Sequence, residues 1–78
     1  MQKDQVFKER QLAALAKKFR EASGKSKVEA ARELRVAPPT VFIAEERPET
    51  SLTKLRVRMI EKYSPYKVIG PVFHLKYK

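Results

Sequence analysis

EAARELRVAPPTVFIAEERPET, residues 29–50, sets two prolines between a run with helical spacing and a greasy run, TVFIA. In its first half Ala30, Ala31 and Leu34 share one helical face. Just upstream, Ser26-Lys27-Val28-Glu29 is an S-x-x-E capping box. Ser26 accepts from the Glu29 amide and Glu29 reaches back to the Ser26 amide, which starts a helix at Ser26. That helix is short, because Arg35-Val36-Ala37 runs into Pro38. The second half is ambiguous. Val41-Phe42-Ile43 has strand propensity, but Glu45-Glu46-Arg47 is too polar for a central strand. Val41, Ala44 and Glu45 fit one inner helical face, so the spacing predicts a helix over about 38–46, ended by Pro48. Proline suits the first helical turn, where its missing N–H had no partner. Ala37 and Pro38 each precede a proline and are pushed toward extended backbone. The helix is therefore expected to begin at Pro39 or Thr40, leaving the Thr40 and Val41 amides free to hold a phosphate.

Outward from this stretch, Leu12, Leu15, Ala16 and Phe19 form the stripe of an amphipathic helix over about 8–22, closed by Ser23-Gly24. Thr50 or Ser51 is expected to cap a fourth helix reaching about Tyr63. Leu52, Leu55, Met59 and Tyr63 would face inward, and Lys54, Arg56, Arg58 and Lys62 outward. After Ser64-Pro65 the chain turns β-rich, with Phe73, Leu75 and Tyr77 on one face and His74, Lys76 and Lys78 on the other. Gly70-Pro71 makes this tail a hairpin or one bent strand. An isolated hairpin is marginal, so the tail should dock on the helices or pair with a second copy. The expected fold is mainly α: a small four-helix helix-turn-helix domain over 8–63, with a ragged N-terminus over 1–7 and a C-terminal β-strand or hairpin over 64–78.

Seventy-eight residues make one small domain with a marginal core, and no cysteine is present to staple it. Homodimerisation is the expected remedy, through Val68, Ile69, Val72, Phe73, Leu75 and Tyr77. One histidine and no cysteine argue against a metal site. No apolar run approaches the roughly 20 residues that span a bilayer, and MQKDQVFKER lacks a secretory apolar core. The expectation is a cytoplasmic, nucleoid-associated chain with no cofactor. Eighteen Lys and Arg against nine Asp and Glu give a net charge of +9, which favours polyanions. Catalysis is not expected. A lone His74 supports no nucleophilic triad, adjacent Glu45 and Glu46 do not face one another, and Gly24 and Gly70 make no phosphate loop.

Two short helices joined by a tight turn, with small residues at their crossing, make a helix-turn-helix. Ala31 lets the second helix approach, Arg35 makes the turn and β-branched Val41 locks the second helix. Over about 19–63 the chain resembles the Cro/lambda-repressor-like (XRE-type) family, through Arg20, Ser26, Ala31, Leu34, Val36, Thr40, Val41 and Glu45. The resemblance implies an ion pair between Arg20 and Glu45. It also implies base-reading positions at Pro38, Pro39, Thr40 and Ile43, with Lys27 as the second residue of its helix. The family commonly has glycine where this chain has Arg35.

Those base-reading positions lack the Arg, Asn or Gln that read guanine and adenine bidentately. Phe42 and Ile43 either touch thymine methyls or pack against the C-terminal tail, and the interior preference of such side chains favours the tail. The leading expectation is a homodimeric regulator of transcription bound to double-stranded DNA. Phosphate contacts would come from Lys27, Arg35, Arg47, Thr50, Ser51 and Lys54. A second reading takes the motif as a scaffold for a protein partner, with Phe42 and Ile43 as the patch. A third is RNA binding, with Tyr66, Phe73 and Tyr77 as stacking platforms.

Overall fold

A computed structural model describes residues 5–70 and 73–78. Four helices carry the core: α1 (Leu12–Ala22), α2 (Lys27–Leu34), α3 (Pro38–Glu46) and α4 (Thr53–Tyr63). A short 3-10 turn, Glu9–Gln11, leads into α1. The described residues also form three strands: β1 (Gln5–Phe7), β2 (Tyr66–Ile69) and β3 (Phe73–Tyr77). They form one antiparallel sheet in the order β1-β3-β2.

The capping box forms as the sequence predicts. Ser26 Oγ accepts from the Glu29 amide at 3.0 Å, and Glu29 Oε1 accepts from the Ser26 amide at 2.9 Å. Those bonds hold the Glu29 carboxyl below the usual carboxylate range. Small side chains on α1, α2 and α3 let the helices close on a common core. Ala16, Ala30, Ala31 and Ala44 are fully or almost fully buried, and they let Leu12, Leu34, Val41, Leu55, Met59 and Ile60 close around them. Burying each large aliphatic side chain contributes about 1.5–3 kcal/mol.

Arg35 turns α2 into α3 with φ 62° and ψ 45°, left-handed backbone that costs a β-carbon-bearing residue about 1–2 kcal/mol. Behind it the Val36 amide donates to Ala31 O at 3.0 Å, closing the end of α2. Arg35→Gly is accordingly expected to raise stability by about 0.5–1 kcal/mol, after the greater freedom of glycine in the unfolded chain is subtracted. Thermal unfolding measures it, and a lowered Tm would count against a strained turn.

Three boundaries differ from the sequence reading. α3 starts at Pro38, earlier than expected, with Ala37 as its extended N-cap (ψ 144°). Only Ala37 needs to be extended; Pro38 and Pro39 take the first two helical positions, where an N–H would have no partner. α4 starts at Thr53 rather than directly after a Thr50 or Ser51 cap; Leu52 is its N-cap and supplies no side-chain bond. Gln5–Phe7, within the segment expected to be ragged, pairs as a strand with β3, Phe7 opposite Phe73. Phe7 packs against the core there.

The tail is a hairpin that docks on the helices. Leu75 is buried, and Tyr66, Val68 and Phe73 pack against the helical core. β3 is the central strand, so both its edges are occupied within the chain and it has none to offer a second copy. On β2 the Val68 amide donates to Glu61 Oε2 at 2.9 Å, which blocks part of that outer edge as well. Of the expected dimer residues, Ile69 and Tyr77 are exposed, Val68, Phe73 and Leu75 are taken up by the chain's own packing, and Val72 lies outside the described residues. Among the described residues no helix is long and apolar enough to cross a membrane.

Candidate nucleic-acid interface

The orientation of α3 is set by two buried arginines. Arg20 on α1 grips Glu45 on α3 with two parallel bonds, Nε to Oε2 at 2.5 Å and Nη2 to Oε1 at 2.9 Å. Its third arm, Nη1, donates to Lys25 O at 2.7 Å, so one side chain ties α1, α3 and the loop before α2. This is the ion pair that the family resemblance implies. The hydrogen bond to Glu45 outweighs burial and raises the Arg20 pKa further, leaving it a permanent cation.

Arg56 is the residue that sequence reasoning placed wrongly. It points into the core with no exposed surface, although it was expected on the basic outer face of α4. Nε donates to Ala44 O at 2.8 Å, Nη1 to Thr50 O at 2.9 Å and Nη2 to Arg47 O at 2.7 Å. Burial lowers its pKa, with Glu9 and Glu49 opposing the effect, yet an arginine remains charged. Arg56 thus caps the C-terminal end of α3 and fixes the loop that follows.

Thr50 belongs to this lock and is poorly placed to hold a phosphate. Its amide and hydroxyl both donate to Arg47 O, at 3.1 and 2.7 Å, and its Oγ1 accepts from Arg56 Nη2 at 2.7 Å. The start of α3 is also altered. The Thr40 amide, expected to be free for an anion, donates to Ala37 O at 2.9 Å. With two prolines ahead of it, the first three positions of α3 offer no free N–H.

What α3 presents outward is therefore side chains. Pro38, Pro39, Phe42 and Ile43 are exposed, Phe42 at 48% and Ile43 at 37% of full accessibility. The expected burial of Phe42 and Ile43 against the tail does not occur, because Leu75, Val68 and Phe73 already meet the core from elsewhere. Lys27 Nζ lies 5.5 Å from the centre of the Phe42 ring, a cation–π contact that joins the start of α2 to α3.

Further cations lie in the segments that flank α3. Arg35 sits in the turn before it, Arg47 at the far end of α3 and Lys54 in the first turn of α4, all exposed. Among the described residues, Lys27, Arg35, Arg47 and Lys54 have no carboxylate at ion-pair distance. Both carboxylates of α3 are neutralised, Glu45 by Arg20 and Glu46 by Lys17 at 2.8 Å. The Lys17 bond holds the Glu46 carboxyl below its usual range. A groove between the start of α3 and the start of α4 brings Thr40, Thr50, Ser51 and Lys54 together with Arg10 and Arg58. Arg10, from the 3-10 turn, carried no sequence signal for this place. Arg58 also donates Nη2 to Leu34 O at 2.7 Å, tying α4 to the end of α2.

The sheet aromatics do not form an open platform for stacked bases. Tyr66 lies 6.0 Å from Phe19 and 5.1 Å from Tyr77, ring centre to ring centre, and Phe73 packs on the core. Among the described residues no cluster of His, Cys, Asp or Glu is arranged to hold a metal ion. Comparison with protein-family models, curated proteins and solved structures finds no match to this chain.

Proposed function

We propose that this chain is a small DNA-binding regulator of the Cro/repressor-like kind, which lays the outward face of α3 in the major groove. One observation carries the reading. The exposed face of α3 has Lys27 beside it and exposed cations in the flanking segments, Arg35 before the helix, Arg47 after it and Lys54 at the start of α4. All four are without carboxylate partners among the described residues, while both carboxylates of that helix are neutralised. The net charge of +9 and the two-helix turn geometry point the same way. Phosphate contacts supply most of the affinity, because the reading edge offers few polar groups. A homodimer would place two such helices on half-sites about 34 Å apart. With β3 closed on both edges, its contact would use the outer sheet face, where Ile69 stands beside His74, opposite the face that packs Leu75 and Val68 on the helices. The site of action would be the nucleoid in the cytoplasm.

A salt titration of binding to a fluorescent duplex tests this. Four phosphate contacts give a slope of roughly −3.6 in log affinity against log salt, or about a 100-fold loss per protomer between about 50 and 200 mM. A slope near zero rejects the proposal.

The exposed apolar surface of Phe42 and Ile43 favours a second reading, in which the same face grips a protein partner. Capture of a stoichiometric partner that is lost in Phe42→Ala, with no retention on DNA, would select it.

A further inference from the structure

Resting on the DNA reading, we infer that the α3 edge recognises the C5-methyl group of pyrimidines, and so reads thymine and 5-methylcytosine alike. The exposed side chains at this edge, apart from Glu46, which Lys17 holds, are Pro38, Pro39, Phe42 and Ile43, none able to donate or accept a hydrogen bond. Half-buried Thr40 turns toward the groove shared with α4. The backbone adds nothing, since two prolines lack N–H groups and the Thr40 amide is occupied by Ala37 O. Lys27 stands over the Phe42 ring at 5.5 Å, which restrains the ring and keeps a cation beside it for the phosphate backbone.

In the major groove the apolar group that natural base pairs present is the thymine C5-methyl; the other edges carry donors and acceptors. An apolar edge pressed on purine N7 or O6, or on a cytosine amino group, leaves those groups without partners and is disfavoured. Pressed on a methyl group, it removes apolar surface from water on both sides. The 5-methylcytosine methyl occupies the same ring position as that of thymine. Without hydrogen bonds to the neighbouring O4 or N4, this edge does not distinguish the two bases. Charge complementarity supports the groove as occupant, because Lys27 stands beside the apolar face and Arg35, Arg47 and Lys54 are exposed in the segments flanking α3, without carboxylate partners among the described residues.

Fluorescence anisotropy with the whole chain tests the inference on four duplexes at one salt concentration. The first pair is an A·T-rich duplex and its copy with deoxyuridine for every thymidine. The second is a G·C-rich duplex with and without 5-methylcytosine. Each buried methyl is expected to contribute about fourfold in affinity, so two or three per half-site give roughly 15- to 60-fold within each pair. Phe42→Ala combined with Ile43→Ala should fold, since both positions are exposed, and should shrink both differences several-fold while the salt slope, set by the phosphate contacts, is kept. Equal affinities within the pairs, or a methyl preference undiminished in that variant, overturns the methyl reading with DNA binding intact. Failure of every duplex to bind at about 50 mM salt rejects the DNA proposal itself, and this inference with it.

Discussion

Arg56→Met is expected to lower the stability of the domain by about 3–5 kcal/mol, because it leaves the buried Ala44 carbonyl and the partly buried Thr50 carbonyl without their donor and breaks the bonds to Arg47 O and Thr50 Oγ1. The helix sequence explains why. In a regular helix Ala44 O would accept from the amide four residues on, which is Pro48 and has no N–H. Arg56 Nε supplies the missing donor at 2.8 Å. Its other arms reach Arg47 O and Thr50 O, so one guanidinium satisfies three separate carbonyls at the end of α3 and the loop that follows. The positive charge also opposes the negative end of the helix dipole, in a site with no exposed surface to screen it.

Lysine should recover less than half of the loss, since a single ammonium group lacks the planar fork that serves three directions. Urea unfolding followed by far-UV circular dichroism measures both variants. A methionine variant within about 1 kcal/mol of the parent would show that the carbonyls find other donors, as Arg47 O already does in the Thr50 amide and hydroxyl. A domain of this size is stable by about 4–12 kcal/mol in all, so the expected loss removes much of the margin.

The position of Arg56 was within reach of the sequence, and its charge concealed it. Leu52, Leu55, Met59 and Tyr63 define an inner stripe, and helical spacing puts position 56 on that stripe beside Leu55 and Met59. An arginine there reads as a surface residue unless its acceptors are known, and they lie at Ala44, Arg47 and Thr50, in another helix and its following loop. By contrast, the Ser26–Glu29 box was legible because its partners are local in sequence, and the turn at Arg35 because the helix-turn-helix spacing from Ala31 to Val41 marks it. β1 was not legible. Three residues are too few for any periodicity, and their partner strand lies at the other end of the chain. At the candidate site, Lys27, Arg35, Arg47, Ser51 and Lys54 remain accessible as the sequence suggested, whereas Thr50 is drawn into the Arg56 lock. The outward exposure of Phe42 and Ile43 was the least predictable feature. Composition assigns such side chains to the interior, and only the packing of the tail elsewhere leaves them in solvent.

Glu45→Gln is expected to cost about 3–5 kcal/mol, the penalty of leaving a buried partner without its opposing charge. The substitution keeps size and shape, so it isolates the charge. Arg20 would stay in place with 5% of its surface exposed, facing an amide whose NH2 group opposes a guanidinium N–H. Arg20→Met should cost a similar amount, because the Glu45 side chain is then buried as a bare carboxylate and Lys25 O loses its donor. The pair Arg20→Met with Glu45→Leu separates the interaction from the individual groups. Removing both charges removes the uncompensated burial, so the double variant should recover most of the combined loss and show strong coupling. Additive costs in that cycle, or a Glu45→Gln variant within about 1 kcal/mol of the parent, would mean that the bidentate pair contributes little and that the aliphatic core alone orients α3. If the pair sets that orientation, the double variant will fold and, on the DNA reading proposed above, bind duplexes more weakly than the parent, since Glu45 lies on the helix that presents Phe42 and Ile43.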